Sequence, residues 1–166
     1  MKKLFLTRHA KSSWDNPGLA DVDRPLNGRG KKAAPFMGKL IMDKGDKPDL
    51  LISSPANRAL STAKAFGKAM GLVEADINVD RTIYGAGTQQ LLKLVQDQDE
   101  LYNSIMLFGH NPTFTSFVNL LTGSNIMNVV TCGVVRIDFE FSSWADINFG
   151  SGRLLYYEYP KKQPNA

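Results

Sequence analysis

The chain is poor in the residues that build covalent or metal frameworks. It holds one cysteine, Cys132, and two histidines, His9 and His110. A single cysteine forms no internal disulfide, so a disulfide-stapled secreted scaffold is excluded and the fold must rest on an apolar core. Cys132 is expected as a small core residue rather than a nucleophile. Two histidines without paired carboxylate spacing fall short of a metal-ligand set, and no metal or other cofactor is expected. No apolar run is long enough to cross a bilayer. Lys2 and Lys3 are followed by only a few apolar residues before Arg8, short of the apolar stretch and cleavage site of a signal peptide. Together these absences give the expectation of a cytoplasmic protein with no membrane partner. There is no internal repeat, no low-complexity segment, no basic arm and no aromatic-interleaved cationic surface, so nucleic acid is not an expected partner.

What is present is ordinary for a globular chain: 166 residues, 43% apolar, 22% charged, net charge +4. That suits one domain over residues 1–159, with a frayed tail expected from Pro160 to Ala166. The modest positive charge favours acidic or phosphorylated partners.

Short apolar runs alternate with helical patterns. Leu4 to Thr7, Asp49 to Ser53 and Ser104 to Phe108 are bounded like buried strands, and Ile77 to Val79 is a weaker, edge-like strand. Helices are expected from Gly28 to about Lys44, from Ala59 to Met70, from Thr88 through Val95 and from Thr113 to Leu121. Asn27 is a suitable cap for the first helix and Gly45 a suitable stop; Pro35 inside it predicts a later start or a kink. From Thr131 the period changes to two, and two strands paired as a hairpin are expected, the second at Arg153 to Glu158. This rhythm predicts an α/β three-layer sandwich with a mostly parallel central sheet and an antiparallel C-terminal strand or hairpin.

In such sheets ligands bind beyond the carboxyl ends of the strands. The first strand ends in Arg8-His9, the second leads to Arg58 in the first turns of a helix, and the strand at Ser104 ends before His110. Both histidines therefore follow strands at one rim, with two arginines beside them. Arginine forks match phosphate oxygens in pairs and keep their charge. A neutral imidazole can attack phosphorus, and a second, protonated imidazole can stabilise charge on the transferring group.

Leu6-Thr7-Arg8-His9-Ala10-Lys11-Ser12 resembles the signature of the histidine phosphatase superfamily, with its phosphoglycerate-mutase-like fold. Ser53-Ser54-Pro55-Ala56-Asn57-Arg58 resembles its second motif and Gly109-His110-Asn111-Pro112 its third. The short length, Ala10, and Asp23-Arg24-Pro25-Leu26-Asn27 are more similar to the small phosphohistidine phosphatase branch. The resemblance implies His9 as nucleophile, Arg8, Arg58 and His110 around the phosphoryl group, a phospho-enzyme intermediate hydrolysed by water, and no metal. Asp15 stands where larger members often have a phosphate-touching asparagine, and that role is not carried over. Many members place a general acid in the turn corresponding to Tyr84-Gly85-Ala86-Gly87, and this turn has no carboxylate.

An alkoxide leaving group needs a proton; a phosphorylated imidazole needs less help. The expected substrate is therefore a phosphohistidine-bearing protein, with inorganic phosphate as product. A phosphomonoesterase acting on a small phosphorylated metabolite and a non-catalytic phosphoprotein-binding module are the rival readings. Asp15, Asp21 and Asp23 in the long loop after the first strand are substitute acids. Four roles stay open at this level. Ser12 donates to phosphate or caps its loop. Arg24 reaches substrate or pairs with Asp21 or Asp23. Trp14 covers the site or packs its loop. Asn111 orients its turn, with ligand contact second.

Overall fold

Along the first strand, Leu4 and Leu6 belong to one apolar core and Phe5 to another. Successive side chains of a strand point to opposite faces, so an unbroken apolar run is what a strand buried on both sides requires. The computed structural model, which describes residues 1–163, places this strand, β1 (Lys2–Arg8), inside a six-stranded sheet. The other strands are β2 (Leu50–Ser53), β3 (Ile77–Val79), β4 (Ser104–Gly109), β5 (Val134–Phe139) and β6 (Arg153–Glu158). Their order is β3-β2-β4-β1-β5-β6. The first four in that order pair in parallel; β5 runs antiparallel to β1, and β6 antiparallel to β5. The expected hairpin at the end of the chain is thus present, with an irregularity in register between Arg136 and Ile137.

Four helices cover the sheet: α1 (Gly28–Asp43), α2 (Asn57–Ala69), α3 (Thr88–Gln96) and α4 (Thr113–Thr122). On one face Ala34, Met37 and Ile41 of α1 and Ala63 and Phe66 of α2 pack on Phe5, Met106 and Phe108. On the other, Leu91 and Val95 of α3 and Phe114, Phe117 and Val118 of α4 pack on Leu4, Leu6, Ile105 and Leu107. Burying each of the larger of these side chains contributes about 1.5–3 kcal/mol. Two apolar layers against one sheet make the three-layer sandwich, with the phosphoglycerate-mutase-like arrangement.

Two local expectations change. Helix α1 does not start at Pro35: the Asn27 side chain accepts from Gly30 N at 2.8 Å, fixing the start, and Pro35 sits inside on the exposed side. Part of the expected tail carries local structure. Pro160–Lys162 form a 3-10 turn, and Lys162 Nζ donates to the Tyr157 carbonyl at 3.0 Å. Residues 164–166 of that expected tail lie outside the described residues. Among the described residues, no helix is long and apolar enough to cross a membrane.

Candidate active site

The parallel register of β1 and β4 pairs Arg8 with Gly109. The next residue on each strand is a histidine, so the register alone makes His9 and His110 neighbours. Their ring centroids are 5.4 Å apart. The backbone continues the ladder past the strands: His9 N donates to Gly109 O at 3.0 Å and Ser54 N to Phe108 O at 3.0 Å. Gly109 is required here, because a Cβ at this position would lie 2.4 Å from the Phe114 ring.

Arg58 arrives on the first turn of α2 and is buried. Thr62, one helical turn later on the same face, ties it to the β1 loop. The Thr62 hydroxyl donates to the Arg58 carbonyl at 2.7 Å and accepts from Ala10 N at 2.9 Å. Opposite, Cys132 N donates to the carbonyls of both Arg8 and His9, at 3.1 and 3.0 Å. Cys132 holds a left-handed backbone, φ 60°, which a non-glycine residue adopts at some cost. Its thiol is buried and its pKa is pushed far up by desolvation, in keeping with a core residue rather than a nucleophile.

His9 Nδ1 lies 2.7 Å from the Ala10 carbonyl oxygen. A carbonyl only accepts, so Nδ1 carries the proton and Nε2 of the neutral ring carries the lone pair. Burial lowers the His9 pKa to about 4, and the charges of Arg58, Arg8 and Arg24 push the same way against the Ala10 bond. His110 is lowered further, to about 3, by burial first and then by Arg58 and His9. In the ligand-free site desolvation and cationic neighbours favour the neutral ring of His110 over the protonated form expected of it. Its Nε2 shares a hydrogen bond with Ser54 Oγ at 2.8 Å, while His110 Nδ1 and Arg8 Nε are buried without partners. Buried polar atoms in native sites rarely stay unpaired, so these two mark the site as polar and unsatisfied; His110 stands beside His9 and does not itself line the concavity at His9.

Arg8, His9, Ser12, Arg24 and Arg58 line a concavity of about 330 Å³, together with Lys11, Trp14, Asn27 and Thr131. Of the two open roles of Arg24, the structure shows the pairing. Arg24 lines the concavity, and it pairs with Asp21 through Nη1 at 3.0 Å. Its Nη2 donates to Ser12 Oγ and its Nε to the Ser13 carbonyl. The exposed Trp14 ring lies on the Arg24 guanidinium, 3.3 Å from the ring centroid, at the edge of the concavity.

Of the three substitute acids, only Asp21 reaches the arginines. It accepts from Arg24, from Arg58 Nη2 at 3.0 Å and from the Tyr84 hydroxyl at 2.6 Å. Tyr84, and after it Arg24 and Arg58, hold its carboxyl far below the usual range. Two guanidiniums and a hydroxyl beside Asp21 favour its ionised form, which weighs against the expected role of proton donor. Asp15 and Asp23 are exposed and line no part of the concavity. Of the two readings of Asn111, the structure shows the turn-orienting one. Its amide donates to Asn128 Oδ1 and the Val129 carbonyl at 2.7 and 2.8 Å, and its oxygen accepts from Thr115 N and Oγ1. It orients the turn and is absent from the concavity wall.

Lys11, Asn27, Thr62, Tyr84 and Thr131 are the site residues that motif reasoning did not nominate. Only Thr62 had a local signal, standing four residues after Arg58 on the same helix. Among the described residues, no three of His, Cys, Asp and Glu cluster as a metal site.

Comparison with known proteins places this geometry. The family model described as "Histidine phosphatase superfamily (branch 1)" matches residues 4–83. A SixA protein from Agrobacterium tumefaciens, whose assignment as a phosphohistidine phosphatase is itself provisional, superposes with a TM-score of 0.83 at 31% identity, over 96% of this chain and 98% of its own. A protein histidine phosphatase SixA with tungstate bound shares the fold, with a TM-score of 0.77 at 19% identity, over 96% of this chain and 98% of its own. An uncharacterised chloroplast protein of Arabidopsis thaliana is 29% identical over 87% of this chain and 70% of its own length. The chain thus belongs to the histidine phosphatase superfamily, in its SixA-like branch.

Proposed function

We propose that the protein is a metal-independent phosphatase that works through a phospho-His9 intermediate and takes its phosphoryl group from phosphohistidine in a protein. The observation that carries the substrate class is the state of Asp21. Its contacts with Arg24, Arg58 and Tyr84 keep it ionised, and the turn at Tyr84 to Gly87 contains no carboxylate. A site without a carboxylic acid suits a leaving group that departs without strong protonation, and the P–N bond of phosphohistidine supplies one.

The chemistry follows from the site. His9 Nε2 attacks phosphorus and the P–N bond of the substrate breaks; the bonding pair stays on the substrate ring, which leaves as neutral imidazole because its other nitrogen already carries a proton. Arg8, Arg58 and Arg24 face the phosphoryl oxygens, where their positive charge answers the charge of the transferring group. His110 adds a hydrogen bond from its unpartnered nitrogen. Water then cleaves the phospho-His9 bond and releases inorganic phosphate. The one free cysteine suits a reducing compartment such as the cytoplasm.

The test is to react the protein with radiolabelled phosphoramidate and with a phosphohistidine protein, in chelator, and to quench in base, where phosphohistidine survives. Labelled enzyme that disappears in His9→Ala, with phosphate release in step, supports the reading. Full activity in His9→Ala overturns the mechanism. Ester turnover that exceeds phosphohistidine turnover moves the substrate to small metabolites. Stable label without phosphate release leaves a binding module.

A further inference from the structure

A second, larger groove of about 840 Å³ adjoins the concavity and shares Arg8, Lys11 and Thr131 with it. It runs along the start of α1 to the Pro160–Lys162 turn. Its charged lining is entirely cationic: Arg8, Lys11, Arg29, Lys32 and Lys161. Its floor is apolar, from Ala33, Phe36, Val130 and Pro160.

The pairing of these cations separates them from their neighbours. Just outside the groove Lys39 pairs with Asp43, and Lys44 and Lys162 pair with Glu158. Inside it, Lys11, Arg29, Lys32 and Lys161 have no carboxylate within ion-pair distance among the described residues. Repulsion among like charges on one wall is unfavourable unless an anion answers it.

We infer that this groove docks an acidic segment, with apolar side chains among its carboxylates, of the protein that carries the phosphoryl group to His9. This rests on the phosphatase reading above. The shared wall at Arg8 and Lys11 lets one chain occupy the groove while its phosphorylated residue enters the concavity. The apolar lining favours a peptide with apolar side chains over a bare second phosphate, which would leave the exposed part of that lining uncovered.

Binding tests the groove apart from catalysis. Two fluorescent unphosphorylated peptides of equal length, one rich in Glu and Leu and one with Gln for every Glu, are titrated against the full chain by anisotropy. The acidic peptide should bind at least about tenfold tighter, and the advantage should fade at about 1 M salt, where charges are screened within about 3 Å. Arg29→Glu/Lys32→Glu should abolish the advantage, while phosphoramidate turnover stays within about twofold of wild type; Lys161→Glu serves as a second, independent variant. Equal binding of the two peptides, or an advantage that survives both variants, overturns the proposal. A wild-type protein that leaves phosphoramidate intact defeats the phosphatase reading, and the peptide comparison still decides the groove.

Discussion

Asp21 clamps Arg58 twice: the carboxylate accepts from Nη2 at 3.0 Å and the main-chain carbonyl accepts from Nη1 at 2.8 Å. The carboxylate holds the guanidinium in place and at the same time competes with any phosphate for it. Charge and position therefore separate in two variants. Asp21→Asn keeps a side-chain oxygen for Arg58 and removes the negative charge. Inorganic phosphate should then inhibit more tightly, by up to about fivefold, as expected from an exposed ion pair worth up to about 1 kcal/mol. Asp21→Ala should lose more kcat/KM than Asp21→Asn. Phosphate inhibition constants and kcat/KM on phosphoramidate check both; weaker phosphate inhibition in Asp21→Asn would contradict the competition.

The two depressed imidazoles make stability fall on mild acidification. His9 at about 4 and His110 at about 3 lie below the ordinary value of 6.5. As pH drops below about 6.5 the unfolded chain gains protons that the folded rings refuse, so folding weakens until the folded rings also titrate. The window from pH 7 to pH 5 lies above the carboxylates and isolates this effect. The melting midpoint of the wild type should drop across it, and that of His9→Asn/His110→Asn should stay level by comparison. Activity depends on neutral His9, so the acid limb of kcat/KM should lie near 4 rather than 6.5. A pH–rate profile locates it.

Gly30 lets α1 touch the site loop. A Cβ there would stand 2.2 Å from the Lys11 carbonyl oxygen, whereas at Gly28 nothing lies within 4 Å. Gly30→Ala should cost about 1–3 kcal/mol as an overpacked contact. It should also lower phosphoramidate turnover, because the displaced backbone carries Lys11 and Ser12. Gly28→Ala should be neutral or slightly stabilising. Urea unfolding and kcat on the pair measure the contrast.

Trp14 reports on Arg24. Its ring is 76% exposed and lies against the guanidinium, while Trp144 is fully buried at the other end of the sheet, near Lys2. Phosphate or tungstate entering beside Arg24 should change the fluorescence of Trp14 and leave that of Trp144 constant. The change should vanish in Trp14→Phe. Trp14→Ala should cost less than about 1 kcal/mol of stability, the scale of an exposed cation–π contact.

His9, Arg58 and His110 were legible as one site because each follows an apolar run at the same end of a parallel sheet. Strand type and direction follow from local pattern, since a strand buried on both faces is continuously apolar and its polar successors fall at the rim. The same local patterns marked α1, α2 and α4 and the closing hairpin. Pro35 misled because a cap at Asn27 and packing of Ala34, Met37 and Ile41 outweigh one lost helical hydrogen bond.

The sequence by itself determined the layer plan and the four residues at the rim, since both depend on periodicity and order along the chain. Tertiary structure alone decided the register of Arg8 against Gly109 that brings the two histidines together. It also decided which aspartate meets the arginines and the charge that each group holds. Asp15, Asp21 and Asp23 are alike in sequence and separated by a few residues of loop. What distinguishes Asp21 is its distance to Arg24, Arg58 and Tyr84, contributed by distant parts of the chain. Protonation follows burial and neighbouring charge, and both are properties of the folded chain.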